Sequence, residues 1–193
     1  MTVGDFVLAP DPADMIVLAL LACTFGVGYA HGAIRRFLGL ISMTFSFLVA
    51  SAVSDPLGTY LASSWHNMPS SYSSMVAFLV VFVALVFASA IVIHGQYQRV
   101  VLFAKNPLVD QVLGGVVGVA EGIAGLTFLM IILDRGFQFD ALIARSALPE
   151  FHNVWASLTL SVTGNVLHSV TIPTFLGMAS IMLPATVRNL YLR

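Results

Sequence analysis

Glu121 is the only formal charge between Gln111 and Leu133, a stretch otherwise built of Val, Gly, Ala, Ile, Leu, Met and a few polar side chains. A carboxylate near the centre of an apolar helix costs about 2.5–3.5 kcal/mol on insertion scales, while each Leu, Ile, Val or Phe returns about 0.3–0.6 kcal/mol. Such a group must face protein or water, and it must be protonated or hold a partner. Two roles follow: a carboxylate that handles protons or ions, or a buried polar anchor bonded to a neighbouring helix. With Gly114 as reference and an advance of about 100° per residue, Gly118, Gly122 and Gly125 fall on the stripe that Glu121 shares, with Asp110 and Gln111 at its start. Val112, Val116, Val119 and Ile123 lie opposite, an aliphatic face suited to lipid. Small residues at four-residue spacing let helix backbones approach closely. The stripe therefore reads as packing within the chain or as a homodimer face.

The other residues with chemical potential are scattered. His31 and His94 flank apolar runs and could ligate a haem iron or a chlorophyll magnesium; an interfacial polar residue is the simpler reading, so no cofactor is expected. Neither G-x-S-x-G, H-E-x-x-H, a Walker A loop nor C-x-x-C occurs, so no catalytic or metal centre is expected and the chain reads as a non-enzyme. The single cysteine, Cys23, allows no intrachain disulfide. Trp65 and Trp155 read as anchors at a membrane interface.

The elements that must position these residues follow from composition. Of 193 residues, 59% are hydrophobic and 9% charged, against about a quarter charged in a soluble domain. Too few polar side chains remain to cover a water-soluble core, so the surroundings must be lipid. A net charge of -1 provides no basic field for nucleic acid. A spanning helix needs about 20 mostly apolar residues, and four stretches qualify: about 15–34, 37–54, 75–98 and 111–133. Asp5, Asp11 and Asp14 precede the first run where a secretory signal would carry Lys or Arg, so that run is read as retained. The short link His31 to Arg36 predicts that helices one and two pack as an antiparallel hairpin. Asp55-Pro56 is expected to end the second helix, Ser63 to Ser74 to form a serine-rich polar loop, and Asn106-Pro107 to open the fourth.

Arg35 and Arg36 lie between helices one and two, Arg99 and Lys105 between three and four, while residues 1–14 and 55–73 carry no Lys or Arg. The positive-inside rule then puts the 31–36 and 99–110 loops in the cytoplasm, and the N-terminus and the 55–73 loop outside. Residues 1–133 form the expected four-helix transmembrane domain. From 134 to 193 the chain is expected to be a C-terminal interfacial segment, amphipathic or re-entrant, with a helical pair broken near Pro173. Polar interruptions at Asn165 and His168 oppose a fifth span, whereas Arg188 and Arg193 favour one. The fold class expected is an all-α integral membrane protein, with the lipid bilayer, and helices of a second copy or of another membrane protein, as partners.

Three stretches resemble the colicin V production protein (CvpA) family of bacterial inner-membrane proteins. Asp14 opens the first helix as the family's Asp does. His31-Gly32-Ala33-Ile34-Arg35-Arg36-Phe37-Leu38 is similar to the family's hairpin turn, and Asp110 to Gly122 resembles its D-x-x-L-G-x-x-x-G-x-x-(basic)-G. The matches span roughly residues 13 to 133, and their order and spacing make the combination specific. Two positions depart: Arg36 stands where the family usually has Glu, and Glu121 where it often has a basic residue. Exchanged signs suggest that Arg36 partners Glu121. Because Glu121 lies about 16 Å along the helix from Asp110, Arg36 must then reach inward, or the fourth helix must begin outside the bilayer. The resemblance implies an inner-membrane protein linked to colicin V production or export and to envelope integrity; the role expected of it is a non-enzymatic envelope scaffold or assistance to export. An accessory subunit of a respiratory or photosynthetic complex, and a small channel or transporter using Glu121, are the alternatives.

Overall fold

The computed structural model describes residues 11–64, 70–96, 106–137 and 149–179, and every regular element among them is helical. Four helices are long and apolar enough to cross a membrane: α1 (Pro12–His31), α2 (Ala33–Ser64), α3 (Ser70–Gln96) and α4 (Pro107–Phe137). Shorter elements follow: α5 (Pro149–Leu160), α6 (Val162–Val166), a wide π turn (Leu167–Thr171) and α7 (Ile172–Ala179). The chain is an all-α membrane protein.

Local chemistry sets the ends. Asp11 caps α1, accepting from the Ala13 amide at 3.3 Å, and Pro12 opens the helix where no amide donor is needed. Gly32 stops it: its φ of 80° lies in the left-handed region open to glycine, and its amide donates to the Gly28 carbonyl at 3.1 Å. Pro107 opens α4 as expected, with the Val109 amide donating to the Asn106 carbonyl.

The second helix does not end at Asp55-Pro56. It runs on through Pro56 to Ser64, although an internal proline removes one amide donor and costs about 3 kcal/mol. Tertiary packing offsets this. Ser54 is fully buried, and Gly58 sits so close to Ser74 of α3 that a Cβ there would lie 2.5 Å from the Ser74 Cα. Thr59 Oγ1 also donates to the Pro56 carbonyl at 2.9 Å. Most of the predicted 55–73 loop is therefore helix, and Trp65 lies outside the described residues.

The α1–α2 hairpin expectation is also corrected. α1 packs mainly on α4, and α2 mainly on α3. Glycines decide the first pairing: a Cβ on Gly114 would fall 2.5 Å from the Gly28 carbonyl oxygen and 2.9 Å from the Gly32 Cα. Gly118 meets Thr24 and Gly122 meets Thr24 and Leu21, so the two helices run antiparallel. Gly39 lies beside Glu121, Met43 beside Gly125, and Phe47 stacks on Phe128 at 4.3 Å between ring centroids. α2 and α4 therefore run parallel, as helices one full crossing apart must.

The C-terminal segment breaks at Ser161 rather than near Pro173. The Ser161 side chain accepts from the Gly164 amide at 2.9 Å and so opens α6. Pro173, which cannot donate to a preceding carbonyl, sits just after the π turn, where the ladder is already rearranged. Ile172 and Leu176 are fully buried, and the Phe175 ring meets Phe47 and Phe128 edge-on, at 5.5 and 4.8 Å. The segment thus enters the bundle as far as the aromatic core.

Gly28→Ala should force the α1 and α4 backbones apart and lower stability by about 1–3 kcal/mol. Gly26→Ala, with nothing within 4 Å of the new methyl, should be neutral or gain up to about 1 kcal/mol. Thermal unfolding of both variants in one detergent compares them directly.

Candidate functional site

Arg36 stands in the first turns of α2, three residues before Gly39, and Glu121 stands on the glycine stripe of α4 at the level of Gly39. The gap in depth is three residues of helical rise, about 4.5 Å. Glu121 closes part of it because helical side chains lean toward their own N-terminus, and the long Arg36 side chain covers the rest. The Arg36 Nη1 donates to the Glu121 Oε2 at 2.7 Å. The side chains are only 19% and 16% exposed. The structure therefore joins the two positions whose signs are exchanged relative to the resemblance, and Arg36 does reach inward.

The pair forms one wall of a hollow of about 200 Å³ between α1, α2, α3 and α4. Val27 and His31 of α1, Arg35 and Gly39 of α2, and Ala90 and Ile93 of α3 complete it. His31 Nδ1 donates to the Val27 carbonyl at 2.7 Å, which fixes its ring against its own helix. Small neighbours make room for the charges: a Cβ on Gly39 would stand 2.8 Å from the Glu121 Oε1. The His94 side chain lies outside the described residues.

Asp110 is buried, with its Oδ2 against Gly32, where a Cβ would be 2.5 Å away. Its carboxylate thus lies at the N-terminal edge of α2, where open backbone donors favour negative charge. Asp14, at the opposite end of α1, binds the start of α6. Its carboxylate accepts from the Val162 amide at 3.2 Å, the Thr163 amide at 2.9 Å and the Thr163 hydroxyl at 2.6 Å. The glycines Gly114, Gly118 and Gly122 face α1 of the same chain. Val112 and Val116 are exposed on the other face of α4, with Val119 and Ile123 partly so.

Sequence reasoning did not single out Asp134 or His168. Asp134 is completely buried, accepts from the Trp155 indole at 2.7 Å and faces His168 Nε2 at 3.6 Å. Trp155, read as a lipid-interface anchor, instead tethers α5 to the end of α4 and packs against Phe137. The available signal was an acid directly after an apolar run, followed by a Trp and a His inside the uncharged segment. Sequence separations of 21 residues or more placed them beyond helical periodicity.

A family model described as colicin V production protein matches residues 13–151, well over half of the chain. No curated protein and no solved structure matches the chain.

Arg36→Gln or Glu121→Gln alone leaves one partner under-compensated and should cost about 3 kcal/mol, the low end for buried pairs because both side chains keep some exposure. The charge-exchanged double variant Arg36→Glu/Glu121→Arg should recover most of that loss, as a double-mutant unfolding cycle would show. Trp155→Phe keeps the ring but removes the indole donor from buried Asp134. It should lower stability by about 1–3 kcal/mol and raise proteolytic cleavage within residues 149–179 before the bundle itself unfolds.

Proposed function

Because the chain belongs to the colicin V production protein family, we propose that it is a non-enzymatic scaffold of the bacterial inner membrane that assists toxin production and export and supports the envelope. The Arg36–Glu121 pair carries this reading. The carboxylate on the glycine stripe serves to hold α2 to α4, and the glycines beside it serve the α1–α4 contact. Intramembrane polarity is thus spent inside the bundle, and what the protein offers outward is apolar helix surface. Ile16 and Leu18 of α1 and Phe87 and Ile91 of α3 are all well exposed on it. Such faces suit lipid and the helices of a partner membrane protein. Arg35 and Arg36 at the start of α2 support an orientation with the α1–α2 turn in the cytoplasm. A role for Glu121 as an ion-carrying group is disfavoured by its direct bond to a guanidinium.

The test is rescue of envelope-stress sensitivity and toxin export in cells lacking the chain. The charge-exchanged Arg36→Glu/Glu121→Arg variant should rescue as the native chain does. Phe87→Ser/Ile91→Ser should fold and insert normally yet rescue poorly. A charge-exchanged variant that folds but fails to rescue would point instead to ion handling by Glu121.

A further inference from the structure

The hollow lined by α1, α2, α3 and α4 contains more positive charge than its internal pair uses. Arg36 is neutralised by Glu121 at 2.7 Å, whereas Arg35, half-buried on the same wall, has no hydrogen-bond or ion-pair partner among the described residues. A guanidinium held beside apolar surface calls for a counter-anion. It presents a planar fork of donors suited to the paired oxygens of a phosphate.

Two further features narrow the ligand. The lining is mixed: His31, Arg35 and the Arg36–Glu121 pair are polar, and Val27, Ala90 and Ile93 are apolar. That pattern matches an amphiphile better than a free ion. The position agrees. α1 has 20 residues and is about 30 Å long, one hydrocarbon thickness, and it ends at Gly32, so Arg35 emerges where lipid headgroups lie. Asp110 is absent from the lining of the hollow, and its Oδ2 lies against Gly32.

We propose that this hollow is a phosphate-binding site anchored by Arg35, taking the phosphate of an anionic phospholipid headgroup or of a soluble phosphate compound. Arg35 forms the bidentate contact, the Arg36–Glu121 pair holds the wall in place, and the apolar lining residues of α1 and α3 receive the upper part of an acyl chain. The site is independent of the scaffold reading, because it requires neither a partner protein nor an export role.

The full chain, purified in detergent and stripped of lipid, is titrated separately with phosphatidylglycerol, phosphatidylcholine and inorganic phosphate. Bound adducts are counted by native mass spectrometry, and the unfolding midpoint is followed in parallel. A lipid site predicts that phosphatidylglycerol binds and raises the midpoint while phosphatidylcholine and inorganic phosphate do not. A soluble-phosphate site predicts that inorganic phosphate does so by itself. In either case Arg35→Gln should weaken binding about fivefold, the factor corresponding to one basic residue at a membrane surface, with Arg35→Lys intermediate. Because the Arg35 side chain bonds to none of the described residues, the lipid-free midpoint of Arg35→Gln should equal the native one, which separates lost binding from lost folding. Equal binding of phosphatidylglycerol and phosphatidylcholine with no response to phosphate, or undiminished binding by Arg35→Gln, would overturn the assignment.

Discussion

The approach of α1 to α4 is the contact on which the remaining packing depends. Two backbones can meet at Gly28 and Gly114 only because neither carries a Cβ: one added to Gly114 would stand 2.5 Å from the Gly28 carbonyl oxygen. In lipid, where burying apolar surface gives no advantage over the acyl chains, close backbone packing is a leading source of helix association. Once α1 is committed to α4, the turn at Gly32 sends α2 along the neighbouring face of α4. Gly39 then comes level with Glu121, and Phe47 with Phe128. The glycine contact therefore sets the register in which every later pairing occurs.

Arg36 and Glu121 are the electrostatic consequence of that register. Neither charge would be tolerable alone at this depth, and each satisfies the other. The same rule governs the opposite end of the bundle. Asp14 is satisfied by the first amides of α6 and the Thr163 hydroxyl, and Asp134 accepts from the Trp155 indole, with His168 Nε2 3.6 Å away. Both acids draw the C-terminal segment onto the bundle, and Phe175 then completes the aromatic cluster around Phe47 and Phe128. In the described residues the carboxylates at the helix ends thus act as fasteners between elements distant in the chain.

Legibility differed by the range of the interaction. Four apolar runs, the proline that opens α4 and the two-faced character of that helix could be read directly, because they depend on composition and on period along one segment. The Arg36–Glu121 pairing was legible through its signs, which are exchanged together relative to the resemblance. The continuation of α2 through Pro56 was not, because the local cost of proline is outweighed by contacts of Ser54 and Gly58 that only folding creates. The bond from Trp155 to Asp134 was not legible for a similar reason: an aromatic with a polar edge suits a lipid interface and a buried carboxylate equally well, and its sequence neighbours do not distinguish them.

The sequence by itself determined that this chain lives in a membrane, how many long helices it carries and where the one carboxylate of its fourth apolar run lies, since these follow from hydrophobicity and helical period. Tertiary structure decided which helices are neighbours. The short link His31 to Arg36 was expected to fold α1 back upon α2, yet α1 lies on α4. Chain connectivity limits only the distance between helix ends, whereas the choice of face is set by where two backbones can come closest, and that is known only once both helices are present.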